Sequence, residues 1–226
     1  MTLQNLEHIA SVSGGVLYVI VALSLVALTV IVERTWGLSM LARRGGALCD
    51  ELSRASTLDR AALDALTQQY QDSPYGSLLE IARDAVGSRS DERVSADLGE
   101  ALMLQVPRID RGLWLLDTAV TLGPLLGLLG TIIGIFSSFK VLGSPGAAPS
   151  QVTGGVAEAL VATAAGLLVA IVGLVCFNGL QKRVRLVVHR LETVKLMLEN
   201  RLTRARAATP QDATTVRRNG TDGSVF

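Results

Sequence analysis

Four side chains in a largely apolar chain have types and settings that could carry chemistry. Glu158 and Lys140 are the only charges between Thr118 and Gln181. Glu158 opens the apolar, Gly/Ala-rich segment GGVAEALVATAAGLLVAIVG. A carboxylate beside a membrane-length run is costly in hydrocarbon, so it marks an ion or proton pathway or a buried pairing. The structural alternative is a cap: Glu158 closely follows Gly154-Gly155, where the first turn of a helix favours an anion. Spacing leaves these two readings even. Thr131 and Thr163 lie inside apolar runs, where a hydroxyl ordinarily bonds back to the carbonyl four residues earlier. Asp117 stands at the start of such a run, where a helix N-terminus stabilises a carboxylate.

The elements that must position these groups follow from composition. The chain has 226 residues, 49% of them hydrophobic and 18% charged, a balance that favours a membrane protein over a soluble domain. Three uncharged runs, 12–32, 118–139 and 159–180, approach or exceed the roughly 20 residues a spanning helix needs. Inside a bilayer the backbone must satisfy its own hydrogen bonds, so each run is expected to be helical. No basic residue precedes the first run and Glu33-Arg34 follows it, which reads as a retained span rather than a cleaved leader.

Lysine and arginine set the orientation. Of 21, ten lie between Arg34 and Arg111 and ten between Lys182 and Arg218, with Lys140 alone. Positive residues stay inside, so the N-terminus is expected outside and the C-terminus inside. The expectation is an all-α membrane protein with three transmembrane helices and helical cytoplasmic extensions. Its parts are an outer tail (1–11), helix 1 (12–33), a cytoplasmic helical segment (34–112), helix 2 (113–140), an outer loop (141–153), helix 3 (154–180), a cytoplasmic basic helix (181–206) and a disordered tail (207–226).

Within 34–112, apolar positions recur at helical spacing from Leu48 to Leu66, and Gln71–Gly76 breaks the pattern. A helix over about 77–86 follows, and another from about Asp91, opened by Ser90, that could run through Pro107 into the second span. The segment is too small and too sparsely apolar to suggest a separate domain. Past the third span, Val184, Val187, Val188, Leu191, Val194, Leu198 and Leu202 form an apolar stripe, with Lys182, Arg183, Arg185 and Arg190 crowding its first turns. Those cations suit anionic headgroups of the lipid bilayer or a contact with neighbouring subunits.

The second span stacks Gly123, Gly127, Gly130 and Gly134 on one face, and the third carries Ala162, Ala165, Gly166, Ala170 and Gly173. Small residues let helix backbones approach closely, and two such faces suggest oligomers. Cys49 and Cys176 show no disulfide or metal spacing, and no P-loop is present. Neither an enzyme nor a cofactor, a metal or a nucleic-acid partner is expected.

The pair LGPLLGLLGTIIGIFSSF (122–139) and GVAEALVATAAGLLVAI (155–171) resembles the signature of the ExbB/TolQ/MotA proton-channel family, ExbB first and TolQ next. Three spans, an outside N-terminus, a long inner segment and Asn178 closing the third span fit ExbB and TolQ; MotA-type subunits have four spans. The resemblance implies a pentamer in the bacterial inner membrane. Its second and third spans would surround helices of a smaller ExbD- or TolR-like one-span partner bearing the proton-carrying aspartate. Work would pass to a TonB- or TolA-like transducer. Thr131 and Thr163 match the family's pore threonines, and Glu158 its glutamate near the outer end of the third span. Two departures stand out. Val172 replaces a common proline, and Asp117 occupies a commonly uncharged position, at the inner mouth of the pore. TonB-linked import, Tol-type envelope maintenance and a non-conducting membrane scaffold remain as alternatives; a secondary transporter fits poorly, since no inverted repeat is visible.

Overall fold

A computed structural model describes residues 15–55, 59–86, 90–142 and 149–208. The outer tail (1–11), the core of the outer loop (143–148), Leu58, Gly87 and the tail from 209 lie outside the described residues, so the expectations placed there do not enter below. The described chain is helical and carries no strand: α1 (Val16–Arg54), α2 (Arg60–Tyr70), α3 (Pro74–Ala85), α4 (Asp91–Asp110), α5 (Leu113–Leu142) and α6 (Pro149–Ala208).

Three stretches, within α1, across α4–α5 and within α6, are long and apolar enough to cross a membrane. Their most apolar windows are only 28%, 33% and 17% buried. Leucines, isoleucines and phenylalanines left in the open to that extent need lipid or further protein around them. At 1.5 Å per residue the 60 residues of α6 reach about 90 Å, three times a hydrocarbon core of about 30 Å. A large part of α6 therefore stands outside any bilayer it crosses.

The chain forms two compact units, one of residues 15–44 and 106–188, the other of 45–105 and 189–208. The first is the hairpin of α5 and the first two-thirds of α6, with the start of α1 against it. Gly123, Gly127, Gly130 and Gly134 all face α6. A Cβ on Gly127 would lie 2.9 Å from Thr163 Cα, and one on Gly134 would lie 2.6 Å from Ala159 Cβ. The two backbones are in contact, as the small-residue stripes require.

The second unit has a core of its own, although segment 34–112 alone did not suggest a domain. Leu48, Leu52, Leu63, Tyr75, Leu78, Leu79 and Leu98 are fully buried there, together with Leu191 and Leu198 of α6. The inner segment supplies too few apolar residues by itself, and the stripe of α6 completes the core. Helical spacing from Leu48 to Leu66 is broken after Arg54, and α2 begins at Arg60. Proline at the first turn of α3 fits its fixed φ. Gly76 packs where a Cβ would lie 2.6 Å from the Tyr70 carbonyl oxygen.

The helix from Asp91 does not run unbroken into the second span. Gly112 has φ +86°, a left-handed conformation that ends α4 and lets α5 start afresh at Leu113.

Candidate functional site

The polar groups of the first unit are held by the α5–α6 seam. Thr163 does not bond within its own helix. Its Oγ1 donates to the carbonyl oxygen of Gly127 at 2.9 Å, across the seam. The bare Cα of Gly127 allows that approach. One turn further along α5, Thr131 is 8% exposed and its Oγ1 donates to the Leu128 carbonyl oxygen at 2.7 Å, three residues back. The two threonines thus lie within a turn of each other, one bridging the helices and one bonded to its own.

Glu158 is half-buried and lies nearer the α5–α6 connection. Its neighbour Ala159 packs at Gly134, and Gly155 packs on Ser138. Ser138 is 5% exposed and donates to the Gly134 carbonyl oxygen at 2.9 Å. Because α6 begins at Pro149, Glu158 stands more than two turns into the helix. That removes the geometry of a first-turn cap. Five residues separate Glu158 from Thr163, so they point about 140° apart around α6. The structure brings Thr163 to the Thr131 region and sends Glu158 to the other flank of the buried face formed by Ala159, Ala162 and Gly166.

Depth along the helices separates these groups further. Glu158 precedes Lys182 by 24 residues, about 36 Å of helix. With Lys182 at one face of a hydrocarbon core about 30 Å thick, Glu158 reaches the opposite face. Asp117 is exposed on the second turn of α5 and shares an edge of that helix with Thr121 and Thr131, four and fourteen residues on. Thr121 was not singled out from the sequence; its i+4 spacing from Asp117 was the available signal. Its Oγ1 donates to the Asp117 carbonyl oxygen at 2.7 Å. Exposed Leu128 and Ile135 lie on the same edge, and Leu122, Leu125, Leu129, Ile132 and Phe136 make the adjoining exposed arc apolar.

One basic residue assigned from sequence to headgroups or subunit contacts also has a partner within the chain. Arg183 Nη1 donates to the Thr35 carbonyl oxygen of α1 at 3.0 Å and to Ser39 Oγ. Nearby in the same unit, the Arg34 guanidinium lies over Gly112, where a Cβ would come within 3.3 Å of Nε. Trp36 and Trp114 are exposed at the same end, as aromatic residues are at membrane interfaces.

Among the described residues no group of three or more His, Cys, Asp or Glu side chains could hold a metal ion. The arrangement offers hydroxyls, two carboxylates and a close-packed helix seam, which suits the passage or positioning of a small cation or proton.

Comparison with known proteins gives the family. Residues 58–193 match the MotA/TolQ/ExbB proton channel family. An ExbB-like biopolymer transport protein of Synechocystis sp. is 36% identical over 170 residues, covering 74% of this chain and 80% of the relative. The biopolymer transport protein ExbB of Neisseria gonorrhoeae is 29% identical over 220 residues, 88% of this chain and 97% of the relative. The Tol-Pal system protein TolQ of Pseudomonas aeruginosa is 30% identical over 171 residues, 74% of this chain and 70% of the relative.

Proposed function

The chain belongs to the MotA/TolQ/ExbB proton channel family, and on that premise we propose that it is the pore-lining subunit of a proton-driven motor in the bacterial inner membrane. Its N-terminus lies outside, and the unit of residues 45–105 and 189–208 lies in the cytoplasm, as the distribution of lysine and arginine favours. Several copies, five on the family's pattern, surround helices of an ExbD-like one-span partner. The proton current energises a TonB-like transducer that acts at the outer membrane.

The observation that carries this reading is the hydroxyl of Thr163 bonded to the backbone of Gly127 beside Thr131. It sets two hydroxyls at one level of a glycine-tight seam. There they can hold water or accept the carboxyl group of the partner. Glu158, about 36 Å along the helix from Lys182, serves the outer entry or the contact between subunits. Asp117 marks the inner mouth. Between Asp117 and Thr131 lie about 21 Å of helix with Thr121 as the one further hydroxyl on that edge, so an acid of the partner must bridge the gap. Each proton driven inward yields about 2.3 kcal/mol per 100 mV, and a few suffice for a large conformational change.

The test is proton flux into liposomes holding the chain with its one-span partner, compared with the Thr131→Val/Thr163→Val variant. Flux abolished in an intact complex supports the channel with these hydroxyls in its path; unchanged flux in that variant takes Thr131 and Thr163 out of the path, and no flux in the wild type leaves a membrane scaffold. The likeness to a TolQ protein keeps envelope maintenance as a second reading. Co-purification of a TolR-like rather than an ExbD-like partner would select it.

A further inference from the structure

We propose that the charged end of the first unit binds the phosphodiester headgroups of anionic phospholipids, with Arg183 as a cation already set to meet a phosphate. The inference does not depend on proton conduction, because it concerns what holds this end of the spans in the bilayer.

Three observations carry it. The first is a charge excess that the chain leaves open. In 33–44, 106–117 and 182–188, all within the first unit, lysines and arginines outnumber acids by eight to three. Among the described residues none of those eight cations enters an ion pair. The second unit is built differently. There Arg83 faces Asp64, Glu80 and Asp84, and Lys195 lies 3.6 Å from Glu199. Towards the other end of the spans, Lys140 and Glu158 leave no excess of either sign. Anions from outside the chain are therefore attracted to one end of the first unit.

The second observation is the level of these cations. Arg34 lies against Gly112, and Arg183 reaches the Thr35 carbonyl oxygen, so the start of α5 and a turn of α6 both meet α1 there. The uncharged runs of α1 and α6 end just short of that level, at Val32 and Gln181. Trp36 and Trp114, the two tryptophans of the chain, are exposed beside it. Exposed indoles flanking apolar spans mark the headgroup layer, which selects lipid phosphate over an acidic soluble protein.

The third is the setting of Arg183. Its side chain is exposed, yet Nη1 is held by the Thr35 carbonyl oxygen at 3.0 Å and by Ser39 Oγ. Both acceptors are neutral, so the charge is not cancelled. Nε and Nη2 have no acceptor among the described residues. A guanidinium already fixed in place loses less freedom on meeting a phosphate, and its fork matches two phosphate oxygens. Lys182 and Arg185 are exposed three residues apart on α6 and add a second point of attraction.

The two tryptophans serve as reporters. The full chain is placed in phosphatidylcholine bilayers containing brominated phosphatidylglycerol or, at equal mole fraction, brominated phosphatidylcholine, and quenching of tryptophan fluorescence is compared. The wild type is expected to favour the anionic lipid by about fivefold or more, the worth of a single surface cation, and added salt should weaken the preference. Arg183→Gln is expected to lose more of it than Arg43→Gln, which removes an exposed cation of the same unit that nothing holds in place. Lys182→Gln/Arg185→Gln leaves the contacts to α1 intact and should also reduce it, which keeps the claim testable if size-exclusion profiles show that Arg183→Gln fails to assemble. Equal quenching by the two lipids in the wild type overturns the proposal, as does a preference that survives unchanged in all three variants. Losses equal in Arg183→Gln and Arg43→Gln overturn the assignment to Arg183. Proton flux has no part in the readout, so the channel reading stands or falls separately.

Discussion

A threonine inside an apolar helix normally returns its proton to its own backbone, as Thr131 does at 2.7 Å and Thr118 does to Trp114 at 2.7 Å. Thr163 departs from this because Gly127 exposes its carbonyl to the neighbouring helix. Replacing it by valine keeps the shape and removes the donor, leaving that carbonyl with one partner fewer. The expected cost is about 0.6–1.7 kcal/mol, the range of interhelical hydrogen bonds in membranes. Thermal unfolding in detergent should show Thr163→Val melting below the wild type and Thr163→Ser close to it. The type and position of Thr163 were legible in the sequence, but its bond was not, since spacing specifies a helix face and not the distance to the next helix. Glu158 shows the same boundary. The glycine pair at 154–155 resembled a helix start, whereas α6 begins at Pro149 and carries the carboxylate beyond capping range. In the second unit Tyr75 is fully buried, and that burial pushes its phenol well above the usual tyrosine range. The neutral form is the one the fold favours, so its contribution is complete below about pH 10 and fades as the pH rises towards the raised folded value. Alkaline titration of stability should therefore show a fall above pH 10 that Tyr75→Phe reduces. Circular dichroism at fixed denaturant measures it, and identical slopes for the two proteins would count against the argument.

At the scale of elements, the glycine stripes and the break between α4 and α5 have separate physical causes. Gly134 has no room for a side chain, since even a Cβ would lie 2.6 Å from that of Ala159. Gly134→Leu must separate α5 from α6, and overpacking of this kind costs about 1–3 kcal/mol. The variant is expected to express poorly or melt early, whereas Gly179→Leu, with nothing within 4 Å of its Cβ, should be tolerated. Gly112 acts through φ +86° rather than through space alone. Gly112→Ala is expected to lose about 1–2 kcal/mol, and a larger side chain would also push against Arg34. Thermal melts of the two variants separate the effects, because Gly112→Asn tolerates the left-handed region and should recover part of the loss. The close-packed face of α5 was readable from its 4, 3, 4 spacing. The break at Gly112 was not read, although the sequence carries a signal for it, a glycine directly after Arg111 with Arg108 in the last turn of the helix.

For the whole molecule, the decisive sequence feature was the stripe at the far end of α6. Taken with the basic residues before it, it suited a membrane-surface or bundle helix; in the fold it is the missing half of a core. Leu191, Val194 and Leu198 are fully buried in the unit that also contains Leu48, Leu52, Leu78 and Leu79. No local window reveals this, since more than a hundred residues separate the partners, and only the shortage of apolar residues in 45–105 hints that something distant must supply them. The consequence is a division of labour within one chain. The first unit leaves apolar windows open to lipid or to further copies, and the second closes its core with helix borrowed from the third span. Leu191→Ala/Leu198→Ala should therefore damage the second unit and spare the first. Each truncation of a buried leucine costs about 2–5 kcal/mol, comparable to the whole stability of a small unit. Limited proteolysis in detergent or membranes should cut the variant rapidly within 45–105, far from the substituted helix in sequence, while the spans of α5 and α6 stay protected and the protein stays in the membrane fraction. Cleavage confined to the neighbourhood of residue 191, with 45–105 still resistant, would show that the inner helices hold together without α6 and that the shared core is not what stabilises them.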